Sequence, residues 1–230
     1  MEWINDSRAC LDIAELMITE IDEMMKETIK HDDIIPYLKV KIKNCLENCR
    51  SPLDYAANYV FDSYCRMEYT PKELKKFNVY FPIAHKEVFF NSYIKDKYRT
   101  LSEKRPDIVS VFKNSQSFNE DKWLKHLPKL TNENKHRNLT RQTKEKTTHI
   151  AKGQIGGITI ENVTMIGDGI PIQYGDTAID FVNPSPYDHL FDASVDIEYF
   201  FEELGLSVLP TLSSIHKGSS KVINELETVV

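Results

Sequence analysis

Cys49-Arg50-Ser51-Pro52-Leu53-Asp54-Tyr55-Ala56-Ala57 decides the fold, because it sets a proline inside a long helical pattern. Upstream, Leu38, Ile42, Cys45, Leu46 and Cys49 share one stripe at helical spacing. Downstream, Ala56, Ala57, Tyr59, Val60 and Tyr64 continue an apolar face. Pro52 has no N–H to offer the Asn48 carbonyl, and its ring crowds that carbonyl. Two outcomes are open. The helix kinks and runs on through Tyr64, or it stops near Arg50 and restarts with Ser51 as N-cap, Pro52 in the first turn and Asp54 as the capping acid.

Before this run, Leu11, Ala14, Met17 or Ile18, Ile21 and Met25 recur at helical spacing with acids on the other side. The pattern predicts a first helix capped by Asp6 or Ser7 and running to about His31. Asp32-Asp33-Ile34-Ile35-Pro36 ends it, and Pro36 suits the opening turn of the second helix. Two long antiparallel helices with a short joint follow.

Beyond the hairpin, Thr70-Pro71-Lys72-Glu73 is a capping pattern, and Val79-Tyr80-Phe81-Pro82-Ile83 reads as extended. Residues 86–118 read as short helices, one carrying Val88, Phe89, Tyr93 and Ile94, the next Ile108, Val109 and Phe112. Phe77, Tyr80, Phe81, Phe89 and Phe90 read as core. Asp121 to Lys135 is a further helix, with Trp123, Leu124, Leu127 and Leu130 inward and a bend at Pro128.

After residue 140 the period changes to alternation. Gly156-Gly157 and Gly167-Asp168-Gly169 are turn signals around a strand from Ile158 to Ile166. Ala178 to Val182 and Val195 to Phe201 are further strands, and Pro210 opens a C-terminal helix through Ile215, Val222, Ile223 and Leu226. The fold class is α+β: a long antiparallel helical hairpin, short helices, a small antiparallel sheet and a C-terminal helix. Residues 1–140 form a helical body. Residues 141–230 form strands plus a helix that packs back on that body within one domain.

The 230 residues are 41% hydrophobic and 28% charged, an ordinary balance for a globular chain. No apolar run approaches the roughly 20 residues that span a bilayer. The acidic start Met1-Glu2-Trp3-Ile4-Asn5-Asp6 does not read as a secretory signal, so the expectation is a cytoplasmic protein without a membrane partner. Cys10, Cys45, Cys49 and Cys65 all lie in the helical N-terminal third and read as free thiols of a reducing compartment. No CxxC or paired-histidine spacing calls for a metal, and no cofactor is expected. Neither a G-x-S-x-G elbow, a phosphate-binding P-loop nor a dinucleotide fingerprint is present. The net charge of −6 conceals an acidic–basic–acidic order. Residues 1–35 carry 3 basic and 10 acidic side chains, residues 36–150 carry 23 and 13, and residues 151–230 carry 3 and 12. The basic middle suits a phosphate backbone, pairing with the acidic ends, or a solvated face.

Two clusters are left as candidates. Arg50 can pair with Asp54 one turn on, either to fix helix registry or to line a polar site with Tyr55. In such a site the guanidinium fork holds a phosphate or carboxylate. The second cluster, Asn134, Lys135, His136 and Arg137, ends the helix after Trp123. Its cations complement the helix dipole, or His136 faces Arg50 and acts as acid or base near neutral pH.

These same stretches resemble a group of uncharacterised, mainly bacterial proteins with an L-R-S-A-L-D-H-L-A helix, an F-P-I segment and an N-x-x-K-H-R segment. The matching residues are Cys49 to Ala57, Phe81-Pro82-Ile83 and Asn132 to Leu139, with Ser194 to Phe201 and the helix after it. The R-S-A-L-D-H core is similar in turn to the R-x4-6-H motif of the HEPN superfamily. That resemblance implies a helical, often dimeric protein, and in some members a metal-independent ribonuclease in which Arg and His act across the dimer. Arg50 takes the Arg position, but Tyr55 stands where the His would be, and a phenol with a pKa of about 10 is a poor proton shuttle at pH 7. The sheet also lies outside the superfamily's small helical domain.

The reading is therefore a HEPN-like binding or interaction protein, catalytically degenerate and self-associating as a homodimer. One alternative is a ribonuclease using Arg50 and His136 with Arg137, Asp54 orienting Arg50. The other is a binder of a small anionic ligand held by Arg50 and Lys135.

Overall fold

The computed structural model describes residues 2–119, 122–136, 139, 141–167, 172–183 and 185–230, without the side chains of 133–136. Its class is α+β. Helix α1 (Glu2–Glu27) and helix α2 (Ile35–Val60) form the long hairpin. Cross-helix partners run in opposite directions: Trp3 stacks on Tyr59, the Cys45 thiol reaches the Ala14 carbonyl at 3.6 Å, and Lys41 pairs with Glu20 at 2.6 Å. After α2 come a π-helical turn (Phe61–Cys65), a 3-10 turn (Arg66–Glu68), α3 (Pro71–Leu74), α4 (Glu87–Lys97), α5 (Leu101–Lys104), α6 (Pro106–Asn114) and α7 (Trp123–His136). Strands β1 (Gln142–Ile155), β2 (Ile158–Ile166), β3 (Ile172–Tyr174), β4 (Thr177–Ile179), β5 (Phe191–Phe201) and β6 (Leu206–Ser207) precede helix α8 (Val208–Val229).

Pro52 is buried inside an unbroken α2. Ser51 does not cap a new helix; its hydroxyl donates back to the Glu47 carbonyl at 2.9 Å, the bond that lets serine sit mid-helix. Apolar packing on both sides of the proline, with Cys49, Leu53, Ala56 and Ala57 all at 0% exposure, outweighs the roughly 3 kcal/mol that an interior proline costs. Likewise α1 begins before Asp6 and Ser7, because Ile4 is already buried and holds the first turn in place.

The chain divides by proximity into two units: Met1–Glu20, Val40–Thr140 and Leu209–Val230; and Ile21–Lys39 with Arg141–Val208. They do not follow a cut at residue 140. The C-terminal helix falls with the helical body, and the turn of the hairpin falls with the strands.

In the first unit α8 lies along α1. Arg8 pairs with Glu227 at 2.6 Å, and His216 Nε2 meets the Leu11 carbonyl at 3.1 Å. Helix α7 turns Trp123, Leu124, Leu127 and Leu130 inward, and Trp123 packs on the bare backbone of Gly218 in α8. Thr70 and Glu73 form a reciprocal capping box at the start of α3, as Thr70-Pro71-Lys72-Glu73 predicts. Two expectations fail here. Phe89 of α4, read as core, is exposed, while Phe90 beside it is buried as expected. Tyr80 is half exposed too, so only part of the expected aromatic core is core.

In the second unit the sheet order is β2-β1-β5-β6, all antiparallel, and β3 pairs with β4. Gly156 and Gly157, both at positive φ, form the two-residue turn between β1 and β2, the backbone twist that right-handed strands favour. The second turn signal, Asp168-Gly169, lies outside the described residues. Strand β4 ends at Ile179, short of the expected Val182, where Phe181 takes a positive φ. The residues after α1 are bound to the sheet by three polar contacts. The Tyr199 hydroxyl donates to Thr28 Oγ1 at 2.9 Å, and Lys144 Nζ reaches the Thr28 carbonyl at 2.6 Å and Asp32 at 2.8 Å. No helix among the described residues is long and apolar enough to cross a membrane.

Candidate functional site

The site grows from Asp54. It stands one turn after Arg50 on α2, which puts the two side chains on one face. Arg50 Nε donates to Asp54 Oδ2 at 3.1 Å, and the side chains retain 16% and 23% exposure. The other oxygen, Oδ1, accepts the backbone N–H of Phe81 at 2.9 Å. The carboxylate therefore serves two donors on two segments, and its position is set before any ligand arrives.

Residues 79–84 take no regular secondary structure and join no sheet. Side chains supply the hydrogen bonds that a neighbouring strand would have given. Gln116, fully buried, accepts from Ala84 N–H at 2.8 Å and donates to the Pro82 carbonyl at 2.8 Å. The Tyr80 carbonyl accepts from the Tyr98 and Tyr93 hydroxyls at 3.1 and 3.3 Å. Asn58 Nδ2 donates to the Asp54 carbonyl at 2.7 Å and to the Val79 carbonyl at 3.4 Å. Burial pushes the Tyr93 phenol above its usual range; the Asp54 charge adds to this and the Arg50 charge opposes it. Tyr93 thus belongs to the Arg50–Asp54 surroundings and stays a neutral hydrogen-bond donor at pH 7.

Arg50 makes one hydrogen bond among the described residues, at Nε. Neither Nη nitrogen is both buried and unpaired. The outer edge of the guanidinium is accordingly a two-nitrogen donor edge of the shape that suits an oxyanion.

Tyr55 is not beside Arg50. Five residues on, it lies about 140° around the helix at 3.6 residues per turn. Its side chain lies beside Glu2, Trp3 and Asp6 of α1; burial pushes the nearby Cys10 thiol up, with Asp6 adding and Tyr55 opposing. Helix α7 carries Asn134, Lys135 and His136 in its last turn, but their side chains lie outside the described residues, as does Arg137 entirely. The structure thus brings Asp54 to Arg50 and turns Tyr55 to α1.

The cysteines are free, and Cys45, Cys49 and Cys65 are buried. The hydrogen bond with Cys45, and then burial, push the Cys49 thiol far up, and burial pushes Cys65 up to about 12. Neither Cys49 nor Cys65 is a nucleophile at neutral pH. Among the described residues no group of three or more His, Cys, Asp or Glu has the arrangement of a metal site.

Sequence reasoning missed Tyr93, Asn58 and Gln116. No local pattern marks them, because their partners are 13 to 34 residues away or are backbone atoms. Comparison of the chain with protein-family models, with curated proteins and with solved structures returns no match.

Proposed function

We propose that the chain is a HEPN-like binding protein that takes an oxyanion, such as an RNA phosphate, at Arg50 without turning it over. One observation carries the reading. Arg50 is oriented through Nε by a carboxylate that Phe81 N–H already holds, which leaves its Nη edge for a ligand. A pre-oriented guanidinium loses little freedom on binding, so more of its interaction appears as affinity. The basic stretch 36–150 adds attraction for a polyanion. Binding is favoured over cleavage because Tyr55, in the place of the motif's histidine, lies on another face of α2 from Arg50, beside Glu2, Trp3 and Asp6 of α1. In this reading the hairpin also pairs with a second copy, which sedimentation equilibrium measures.

The test is fluorescence anisotropy of a labelled single-stranded RNA at about 50 and 200 mM salt, with inorganic phosphate as competitor. The expected result is salt-sensitive binding that Arg50→Ala weakens about tenfold and Arg50→Lys weakens by less. Equal binding by Arg50→Ala overturns the site. RNA cleavage in EDTA, lost in both Arg50→Ala and His136→Ala, replaces this reading with the metal-independent ribonuclease.

A further inference from the structure

Tyr55, turned away from Arg50, lines a different cleft. At 55, 58, 59 and 62 the end of α2 and its π-helical turn present Tyr55, Asn58, Tyr59 and Asp62 along one stripe. The first turns of α1 add Glu2, Trp3 and Asp6 from the antiparallel side. The cleft holds about 500 Å³ and is open to solvent. Both sides belong to the first unit.

Its lining has two components. Trp3 and Tyr59 stack with ring centroids 5.3 Å apart, each using one face on the other, and Tyr55 stands one turn from Tyr59 with 42% exposure. Three carboxylates accompany the rings. Asp62 is paired with Arg66 at 2.7 Å, while Glu2 and Asp6 have no ion pair among the described residues. The cleft therefore carries a net negative charge. Aromatic faces beside uncompensated carboxylates attract a cation that is only weakly hydrated, because ring quadrupoles and charge act together without a tight water shell to strip. A methylated ammonium fits this better than a metal ion, which would demand several oxygen ligands at short range.

We infer that this cleft binds a methylated ammonium group, either of a small molecule or of a methylated lysine side chain. The site is independent of Arg50 and of the ligand proposed there.

The test is titration of the full chain with choline, with a trimethyl-lysine peptide and with 3,3-dimethylbutan-1-ol, the uncharged isostere of choline, at constant ionic strength. Trp3 emission and the Trp3 indole proton resonance report occupancy. The expected result is a saturable response to at least one of the two cations, weakened about tenfold for the isostere and about tenfold by Tyr59→Leu. Asp6→Asn weakens the cation about threefold and leaves the isostere unchanged. Tighter binding of the peptide assigns the cation to a protein side chain, and equal or tighter binding of choline assigns it to a small molecule. Equal response to cation and isostere overturns the inference. So does no saturable response to either cation, or an unaltered titration in Tyr59→Leu with native circular dichroism.

Discussion

The Asp54 carboxylate accepts the Phe81 amide at 2.9 Å, tying helix α2 to a segment 27 residues further along the chain. One side chain thereby fixes both the backbone at Phe81 and the guanidinium of Arg50. Removing it has a different cost from trimming its charge. Asp54→Ala leaves the Phe81 N–H and Arg50 without their acceptor, and the expected loss is about 2–3 kcal/mol in urea unfolding. Asp54→Asn retains a carbonyl oxygen for one donor, and about 1 kcal/mol is expected. Equal losses for the two variants would show that charge alone matters.

Gly218 of α8 carries no side chain where Trp123 crosses it; a Cβ there would stand 2.2 Å from the indole ring. Trp123 is only 3% exposed and has little room to move. Gly218→Ala is therefore expected to lower stability by about 1–3 kcal/mol, against the small gain that alanine normally brings to a helix. A smaller ring in Trp123→Phe should recover part of that loss in the double variant, read by thermal unfolding.

The cysteines should react in a fixed order. Cys10 is part-exposed, whereas Cys45, Cys49 and Cys65 are buried, and the thiols of Cys49 and Cys65 are also pushed up. Under native conditions a disulfide reagent at pH 8 should titrate one thiol quickly and three slowly. All four should react at once in denaturant. Cys10→Ser should abolish the fast phase.

Glu73 is expected to give the chain an acid-sensitive step. The Thr70 backbone amide and hydroxyl, then Arg99 at 2.9 Å, hold its carboxyl down at about 2, against an ordinary 4.5. A carboxyl with a lowered folded-state pKa stabilises fully above about 4.5, and the contribution disappears as pH falls toward 2. Glu73→Gln should flatten unfolding free energy against pH in that window and leave the slope near pH 7 unchanged.

The hairpin, the α7 stripe and the Thr70–Glu73 cap were legible because each is written in residues a turn or less apart. Pro52 was ambiguous because the local cost and the tertiary gain have opposite signs, and only packing decides between them. Phe89 misled for a related reason. A helix of 11 residues offers two apolar stripes, and the fold buries the one through Phe90 and Ile94. At the site, Arg50–Asp54 was readable from its one-turn spacing. The grouping of Tyr55 with them was not sustained, since five residues carry a side chain to another face. Tyr93 and Gln116 were invisible because their roles are defined by distant backbone atoms.

The side-chain anchoring of residues 79–84 also has a kinetic consequence. In deuterated water the Phe81 and Ala84 amides should exchange as slowly as those of a central strand, although no ladder protects them. A trace of protected protons would run through what looks like loop, and it would fade at Ala84 first in a chain lacking the Gln116 amide.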